Sequence, residues 1–128
     1  MTIKSSFFLV KEAKQKIKSI TFKNALKLYN EGETIFIDLR DVRELERNGK
    51  IKNAKHVPRG MLEFWIDPKS PYYRDYFNAK NKFIFYCASG WRSSLSTKTA
   101  LEMGLTNVLN LENGINDWIN HNGPVEKF

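Results

Sequence analysis

The chain has 128 residues, of which 41% are hydrophobic, and it carries a net charge of +7 and a single cysteine. This length supports one domain with its own core, and the ordinary apolar share excludes a disordered chain. One cysteine excludes an internal disulfide and an internal resolving thiol, so any group formed on it must pass to another molecule. Because a lone reactive thiol suits a reducing compartment, we expect a cytoplasmic protein.

The positive charge is concentrated at the N-terminus, where residues 1–30 hold seven lysines and one acidic residue, Glu12. We predict a basic amphipathic helix over residues 1–18, followed by the main domain over residues 19–128. The helix would carry one apolar stripe made of Ile3, Phe7, Val10 and Ile17. We expect that stripe to pack on the chain's own domain, although it could also serve a dimer, so a monomer and a homodimer both remain open.

The sequence bears on three further classes of partner, of which the first concerns this basic segment. Its lysines lack the interleaved aromatic residues typical of a nucleic-acid interface, so no nucleic-acid partner is predicted. The apolar run at 7–10 is too short for a signal peptide, and no stretch is long enough for a membrane span. The two histidines, His56 and His121, have no second ligand at metal spacing, so neither a metal nor another cofactor is expected.

Helix and strand patterns alternate along the rest of the chain. Helices are predicted at 22–29 after the cap Thr21, in a short segment after the cap Asp41, at 93–103 and at 114–120. Strands are predicted at 34–39, 55–57, 83–86 and 107–111. The main strand runs are apolar without clear alternation, which is typical of parallel strands buried on both faces. The pattern predicts an α/β domain with a central parallel sheet of about five strands and helices on both faces.

Charged residues follow the strand at 34–39. Asp38, Arg40 and Glu44 could be read as catalytic, but charges near strand ends commonly fix loops. We therefore interpret them as structural, with Arg40 pairing with Glu44, or Asp38 accepting hydrogen bonds from backbone amides. Further along, the aromatic-rich connection at 59–77 is expected to fold over the sheet edge as short helices and loop.

The stretch 82–94 carries the chemistry. A buried strand ends on Cys87, a tight loop containing Gly90 and Arg92 follows, and a helix begins that Ser93 or Ser94 could cap. Ligands of open α/β sheets bind at the carboxyl ends of strands, and backbone amides at a helix N-terminus attract anions. These amides would favour the thiolate, which is the nucleophilic form of cysteine. Arg92 would add a planar, permanently charged donor for an oxyanion.

Three segments in register resemble the signatures of the rhodanese family of sulfurtransferases, from about residue 20 to the C-terminus. They are the loop Cys-Ala-Ser-Gly-Trp-Arg-Ser at 87–93, Ile-Phe-Ile-Asp-Leu-Arg at 35–40 with its continuation to Pro58, and Leu-Glu-Asn-Gly-Ile-Asn-Asp-Trp at 111–118 followed by Gly-Pro-Val at 123–125. The chain departs from the usual pattern of the family in scaffold turns, where Lys50 stands in place of a histidine and Asn53 and Asn113 stand in place of glycines.

The resemblance implies a rhodanese-like domain with its active-site loop at the carboxyl end of a strand. Cys87 would be the catalytic nucleophile, carrying a sulfane sulfur from thiosulfate or polysulfide, as a persulfide, to cyanide, sulfide or a thiol. The loop residues Ala88, Ser89, Gly90, Trp91, Arg92 and Ser93 would bind the substrate. In similar sulfurtransferases the segment matching 59–77 borders the active-site mouth, which makes Arg59 and Trp65 candidate substrate contacts. The loop and residues 58–65 look most like the polysulfide-sulfurtransferase group.

Three alternatives stay open. Phosphatases and arsenate reductases also hold an oxyanion ahead of a helix, but five residues separate their cysteine and arginine, whereas four separate Cys87 and Arg92 here. Rhodanese-like domains that have lost the cysteine serve as non-catalytic binding modules, which the presence of both Cys87 and Arg92 argues against. A redox sensor would need glutathione or a partner to resolve the oxidised thiol.

Overall fold

The computed structural model describes residues 2–128. The helices are α1 (Ser6–Lys16), α2 (Phe22–Glu31), α3 (Val42–Asn48), α4 (Leu62–Ile66, preceded by a 3₁₀ turn at Arg59–Met61), α5 (Trp91–Glu102) and α6 (Gly114–Asn120). The strands are β1 (Ser19–Ile20), β2 (Thr34–Asp38), β3 (Lys50–Ile51), β4 (Lys55–His56), β5 (Lys82–Tyr86), β6 (Val108–Leu111) and β7 (Val125–Glu126).

Five strands form one parallel sheet in the order β1-β6-β5-β2-β4, which confirms the predicted fold class. The middle strand, β5, pairs with β6 on one side and β2 on the other. The sequence pattern missed β1 and the small antiparallel pair β3–β7. Each of these strands has only two residues, which is too short to show a hydrophobic period.

Helices cover both faces of the sheet and bury two apolar cores. Phe83 and Phe85 of β5 point into the core beneath α4 and α5, together with Leu62 and Ala100. Ile84 and Tyr86 point the other way, into the core beneath α2 and α6, where Ala25, Ile115 and Trp118 are buried. Side chains alternate across a strand, so a strand apolar on both faces needs a helical layer on each side.

The N-terminal helix is shorter than predicted. Instead of residues 1–18 it spans Ser6–Lys16, because Ser5 caps it by accepting a hydrogen bond of 3.0 Å from the amide of Phe8. Met1 lies outside the described residues. The helix packs against α5 through the buried Val10 and Ala13. The predicted stripe is only partly buried, since Ile3 lies outside the helix and is exposed.

The helix that follows Cys87 begins earlier than predicted. Its first residue is Trp91 and its cap position is Gly90, with a φ of +107° that favours glycine. Ser93 and Ser94 therefore lie in the first turn and cap nothing; Ser94 instead donates a hydrogen bond to the carbonyl of Gly90. The predicted caps Thr21 and Asp41 are confirmed for α2 and α3. Among residues 2–128, no helix is both long and apolar enough to cross a lipid bilayer.

Candidate functional site

Cys87 directly follows the middle strand of the sheet, at its carboxyl end, with 1% of its surface exposed. Its sulfur accepts hydrogen bonds from the backbone amides of Gly90, at 3.2 Å, and Ser93, at 3.4 Å. Both amides belong to the loop and first turn at the N-terminus of α5, where the helix dipole favours negative charge. The local geometry is therefore suited to holding a thiolate without a neighbouring histidine.

Two glycines let the loop bend around this sulfur. A Cβ at Gly90 would lie 2.6 Å from the carbonyl oxygen of Glu112, so a side chain at the loop tip would strike the backbone after β6. At Gly114, with a φ of +67°, a Cβ would lie 2.6 Å from the carbonyl oxygen of Cys87 and would overlap the carbonyl of Ala88.

The N-terminus of α6 fixes the other side of the loop. The amide of Ile115 donates to the carbonyl of Cys87 at 2.9 Å, and the amide of Asn116 donates to that of Ala88 at 3.1 Å. The carbonyls of two successive residues, Cys87 and Ala88, are thus held by α6, while the sulfur of Cys87 is held at the N-terminus of α5.

A buried polar network lies behind the sulfur. The hydroxyl of Ser93 is 3.4 Å from the sulfur and donates to Oδ1 of Asn110 at 2.5 Å. The amide nitrogen of Asn110 in turn donates to the hydroxyls of Ser94 and Ser19, both at 3.3 Å. Ser93, Ser94 and Asn110 are fully buried. Sequence reasoning missed Asn110; the available signal was one polar residue within the otherwise apolar strand at 108–111.

We predict that Asn110→Ala lowers the free energy of unfolding by about 1–3 kcal/mol, because the buried hydroxyl of Ser93 loses the oxygen to which it donates. It should also slow alkylation of Cys87, since Ser93 loses the bond that orients it. Denaturant titration and iodoacetamide labelling followed by mass give the two readouts. Asn107→Ala, at an exposed position near the start of the same strand, is the control and should change neither. A stable Asn110→Ala protein with unchanged labelling would contradict this role.

Arg92 and Glu44 form a two-bond ion pair beside the loop. The guanidinium nitrogens donate to the two carboxylate oxygens at 2.7 and 3.0 Å. Hydrogen bonding to Arg92 lowers the pKa of Glu44. Hydrogen bonding to Glu44 raises the pKa of Arg92 against the opposing effect of burial, and the nearby Cys87 adds a smaller contribution in the same direction. Both groups are therefore ionised at neutral pH, and the positive charge lies close to the sulfur.

Of the two structural interpretations of these charges, the pairing of Arg40 with Glu44 is wrong, whereas Asp38 does accept a hydrogen bond from a backbone amide, that of Arg40, at 3.0 Å. Arg40 is buried and pairs with Asp38 at 2.7 Å, while its second contact is the carbonyl of Gly49. Residues two apart at a strand end point to the same side, so Asp38 reaches both the amide and the guanidinium of Arg40. Asp38 and Arg40 thus hold a buried loop, as expected for scaffold, whereas Glu44 contacts the candidate site through Arg92.

The remaining predicted site residues occupy different surroundings. Ser89 is exposed and Ala88 is half-buried. Trp91 is 54% exposed, and the centroid of its ring lies 5.4 Å from that of Phe7.

The two candidate residues of the 59–77 segment have other partners. Arg59 pairs with Glu63 at 2.9 Å. Trp65 packs on the core and carries the guanidinium of Arg74 over its ring, 4.4 Å from the centroid. Within residues 2–128, neither Arg59 nor Trp65 forms a hydrogen bond with the Cys87 loop, and their contact with substrate stays a prediction.

Comparisons with known proteins agree with this geometry. The family model "Rhodanese-like domain" matches residues 21–121. A curated mouse protein, thiosulfate sulfurtransferase/rhodanese-like domain-containing protein 3, is 24% identical over 115 residues, which cover 86% of this chain and 73% of the mouse protein. The chain is thus similar to that protein over most of both sequences.

Two solved structures are also similar. One, a protein of unknown function from Rhodopseudomonas palustris described as a possible tyrosine phosphatase, superposes with a TM-score of 0.93 at 43% identity over 98% of both chains. The other, the homodimeric polysulfide-sulfur transferase of Wolinella succinogenes, has a TM-score of 0.71 at 31% identity over 94% of this chain and 85% of that one. Together with the family model, these matches show that the chain belongs to the rhodanese-like domain family.

Proposed function

We propose that this member of the rhodanese-like family is a sulfurtransferase that moves a sulfane sulfur through a persulfide on Cys87. One observation carries the proposal: the sulfur of Cys87 lies at the end of a strand and accepts two amide hydrogen bonds at the N-terminus of α5. That position gives a nucleophile that needs no separate base, because the amides and the nearby Arg92 favour the thiolate.

The cycle has two displacements. In the first, the Cys87 thiolate attacks the outer sulfur of thiosulfate, the sulfur–sulfur bond of the donor breaks, and sulfite leaves with the electron pair. In the second, cyanide, sulfide or a thiolate attacks the outer sulfur of the Cys87 persulfide, and the Cys87 thiolate is the leaving group. With a polysulfide donor the leaving group is the shortened polysulfide. The two steps predict ping-pong kinetics.

A Cys-based phosphatase is the second candidate, since the 43%-identical R. palustris protein is described as a possible tyrosine phosphatase. Two features favour sulfur transfer. Only four residues separate Cys87 from Arg92, which makes a smaller loop than the phosphatase resemblance requires. The two guanidinium nitrogens of Arg92 are also already bonded to Glu44, so they do not offer two parallel donors to a phosphate, whereas a polysulfide donor carries no oxyanion that needs them. Turnover of p-nitrophenyl phosphate by the wild-type protein, lost in Cys87→Ser, would favour the phosphatase.

The test is the intact mass of the protein after incubation with thiosulfate or, separately, with polysulfide, followed by cyanide. We expect a gain of one sulfur atom that cyanide removes, and the donor that loads faster is the preferred one. The Cys87→Ser protein, treated identically, should gain nothing. No gain with either donor would contradict the proposal and leave the phosphatase, the binding module and the redox sensor.

Replacing Arg92 should slow the proposed transfer without unfolding the protein. Arg92→Ala removes a charge that favours the thiolate and is expected to lower kcat/KM for thiosulfate by about 100-fold. Arg92→Lys should recover part of this loss, since it keeps the charge and loses the planar fork. Lys98→Ala removes a positive charge from the same helix at a position paired only with Glu102, and should remain within about twofold of wild type. Equal losses in the Arg92 and Lys98 variants would contradict a local role for Arg92.

A further inference from the structure

A groove opens between α1 and the first residue of α5. Its lining consists of Phe7, Val10, Lys11, Lys14, Gln15 and Trp91. The groove is open to solvent, and its volume, about 450 Å³, lies within the range of small-molecule sites. Trp91 is the one lining residue from the Cys87 loop, and it lies in the chain between Gly90 and Ser93, whose amides donate to the Cys87 sulfur, so one wall of the groove begins at the candidate active site.

The walls of the groove combine apolar surface with positive charge. The rings of Phe7 and Trp91 meet edge to face, yet 71% and 54% of their surfaces remain exposed. Two aromatic side chains left this open beside a buried nucleophile form an apolar patch that the fold itself does not cover. Lys11 and Lys14 are three residues apart on one helix, so they share a face, and the lining includes no carboxylate.

We propose that this groove binds the thiol acceptor, and that it selects an acceptor with an apolar body and a negative charge. The inference rests on the proposed sulfur transfer and deepens it by naming the substrate class. The aliphatic or aromatic part of the acceptor packs on Phe7 and Trp91, and its carboxylate pairs with Lys11 and Lys14. The thiolate end then reaches the outer sulfur of the Cys87 persulfide and takes it, releasing the Cys87 thiolate.

Charge complementarity favours a small anionic thiol as the molecule that binds in the groove. A cationic acceptor would meet two lysines without a compensating carboxylate in the lining, and a neutral apolar one would leave both lysines unused. A second copy of this chain would bring another strongly basic α1 region toward the first, since residues 1–30 hold seven lysines and one acidic residue. An anion of small-molecule size satisfies both the lysines and the volume.

The experiment compares three acceptors of equal length and different charge: 6-mercaptohexanoate, 6-mercaptohexanol and 6-aminohexanethiol. Each is assayed with the wild-type protein and with Lys11→Glu/Lys14→Glu, and the ratio of kcat/KM between the two proteins is taken for each thiol. That ratio cancels the intrinsic reactivity of each thiol. We expect the double variant to lose about tenfold with the mercaptocarboxylate, to stay within about twofold with the alcohol, and to gain with the amine. Lys23→Glu/Lys27→Glu makes the same charge change on α2, across the sheet, and should leave all three ratios near one.

A second measurement separates this inference from the proposed function. Hexanoate has no thiol, so its binding to the wild-type protein can be followed through Trp fluorescence even if no sulfur is ever transferred. We expect a fluorescence change that hexylamine does not produce and that Trp91→Phe removes. Hexanoate binding without sulfur transfer would support the groove as an anion-binding site and contradict the proposed sulfurtransferase activity. Sulfur transfer with equal ratios for all three thiols, or a double variant that alters only the oligomeric state in sedimentation, would overturn the groove.

Discussion

Replacing Cys87 with serine should abolish sulfur loading while leaving the fold intact. The serine hydroxyl can accept the hydrogen bonds that Gly90 and Ser93 now donate to sulfur, so no buried amide loses its partner. The hydroxyl is not ionised at neutral pH and cannot take a sulfane sulfur as the thiolate can. We expect kcat/KM for thiosulfate to fall by at least about 1,000-fold, as loss of a nucleophile commonly does.

The choice of serine makes the result interpretable. Cys87→Ala is a useful companion, because it removes both the nucleophile and the acceptor of two buried amide hydrogen bonds. It should therefore lose activity and also about 1–3 kcal/mol of unfolding free energy, whereas the serine variant loses activity alone. Steady-state rates and urea titrations of the three proteins provide the comparison. Because Cys87 is the chain's only cysteine, residual transfer by Cys87→Ser could not come from another thiol and would sink the proposed mechanism.

Gly114→Ala adds one methyl group near the site, and we expect it to destabilise the protein more than a methyl group added at any other nearby position. Its backbone has a φ of +67°, which costs a non-glycine residue about 1–2 kcal/mol. Its new Cβ would also overlap the carbonyl of Ala88 and lie 2.6 Å from that of Cys87, and overpacking of this kind costs about 1–3 kcal/mol more. We expect a loss of about 2–5 kcal/mol in the free energy of unfolding, measured by urea titration.

Gly32→Ala provides the matched control for this prediction. Gly32 ends α2 with a φ of +80°, and a Cβ there would meet nothing within 4 Å. The two variants share the backbone strain and differ only in the collision, so Gly32→Ala should lose about 1–2 kcal/mol. Any folded Gly114→Ala protein should also load sulfur more slowly, because α6 holds the carbonyls of the Cys87 loop. Equal destabilisation by the two substitutions would show that α6 does not clamp the loop as described.

The ion pair between Arg92 and Glu44 has a consequence for specificity. A free arginine fork beside a cysteine would offer two parallel donors to a phosphate or an arsenate. Here the carboxylate of Glu44 occupies that fork and fixes the guanidinium at the loop. The charge still acts on the Cys87 sulfur, but the donor geometry is committed to Glu44. A polysulfide donor, which carries no tetrahedral oxyanion, suits this arrangement better than a phosphate or an arsenate does.

Local sequence rules accounted for the order of the main elements and for the place of Cys87, the proposed nucleophile, at the end of a strand. The apolar run at 83–86 was sufficient to predict a buried strand, and the cysteine, glycine and arginine that follow were sufficient to predict a site at its end. The caps Thr21 and Asp41 were readable because a cap bonds to amides only two or three residues away. Asn53, which stands where related sequences have glycine, has a φ of +72°, a conformation that asparagine tolerates better than most residues.

What the sequence could not determine is which distant side chains meet. Glu44 pairs with Arg92 across 48 positions of the chain, and Asn110 bonds to Ser93 across 17. Phe7 and Trp91, whose rings also meet, lie still further apart in the sequence. Each of these polar or aromatic side chains could pair with many others in the chain, so the sequence alone does not identify its partner. The strand order brings β6 beside β5 and α3 beside the loop, and α1 packs on α5; only that packing decides which candidate partner lies within bonding distance. The position of the proposed nucleophile, Cys87, could therefore be read from local sequence, whereas the groups that hold and surround it were decided by the tertiary structure.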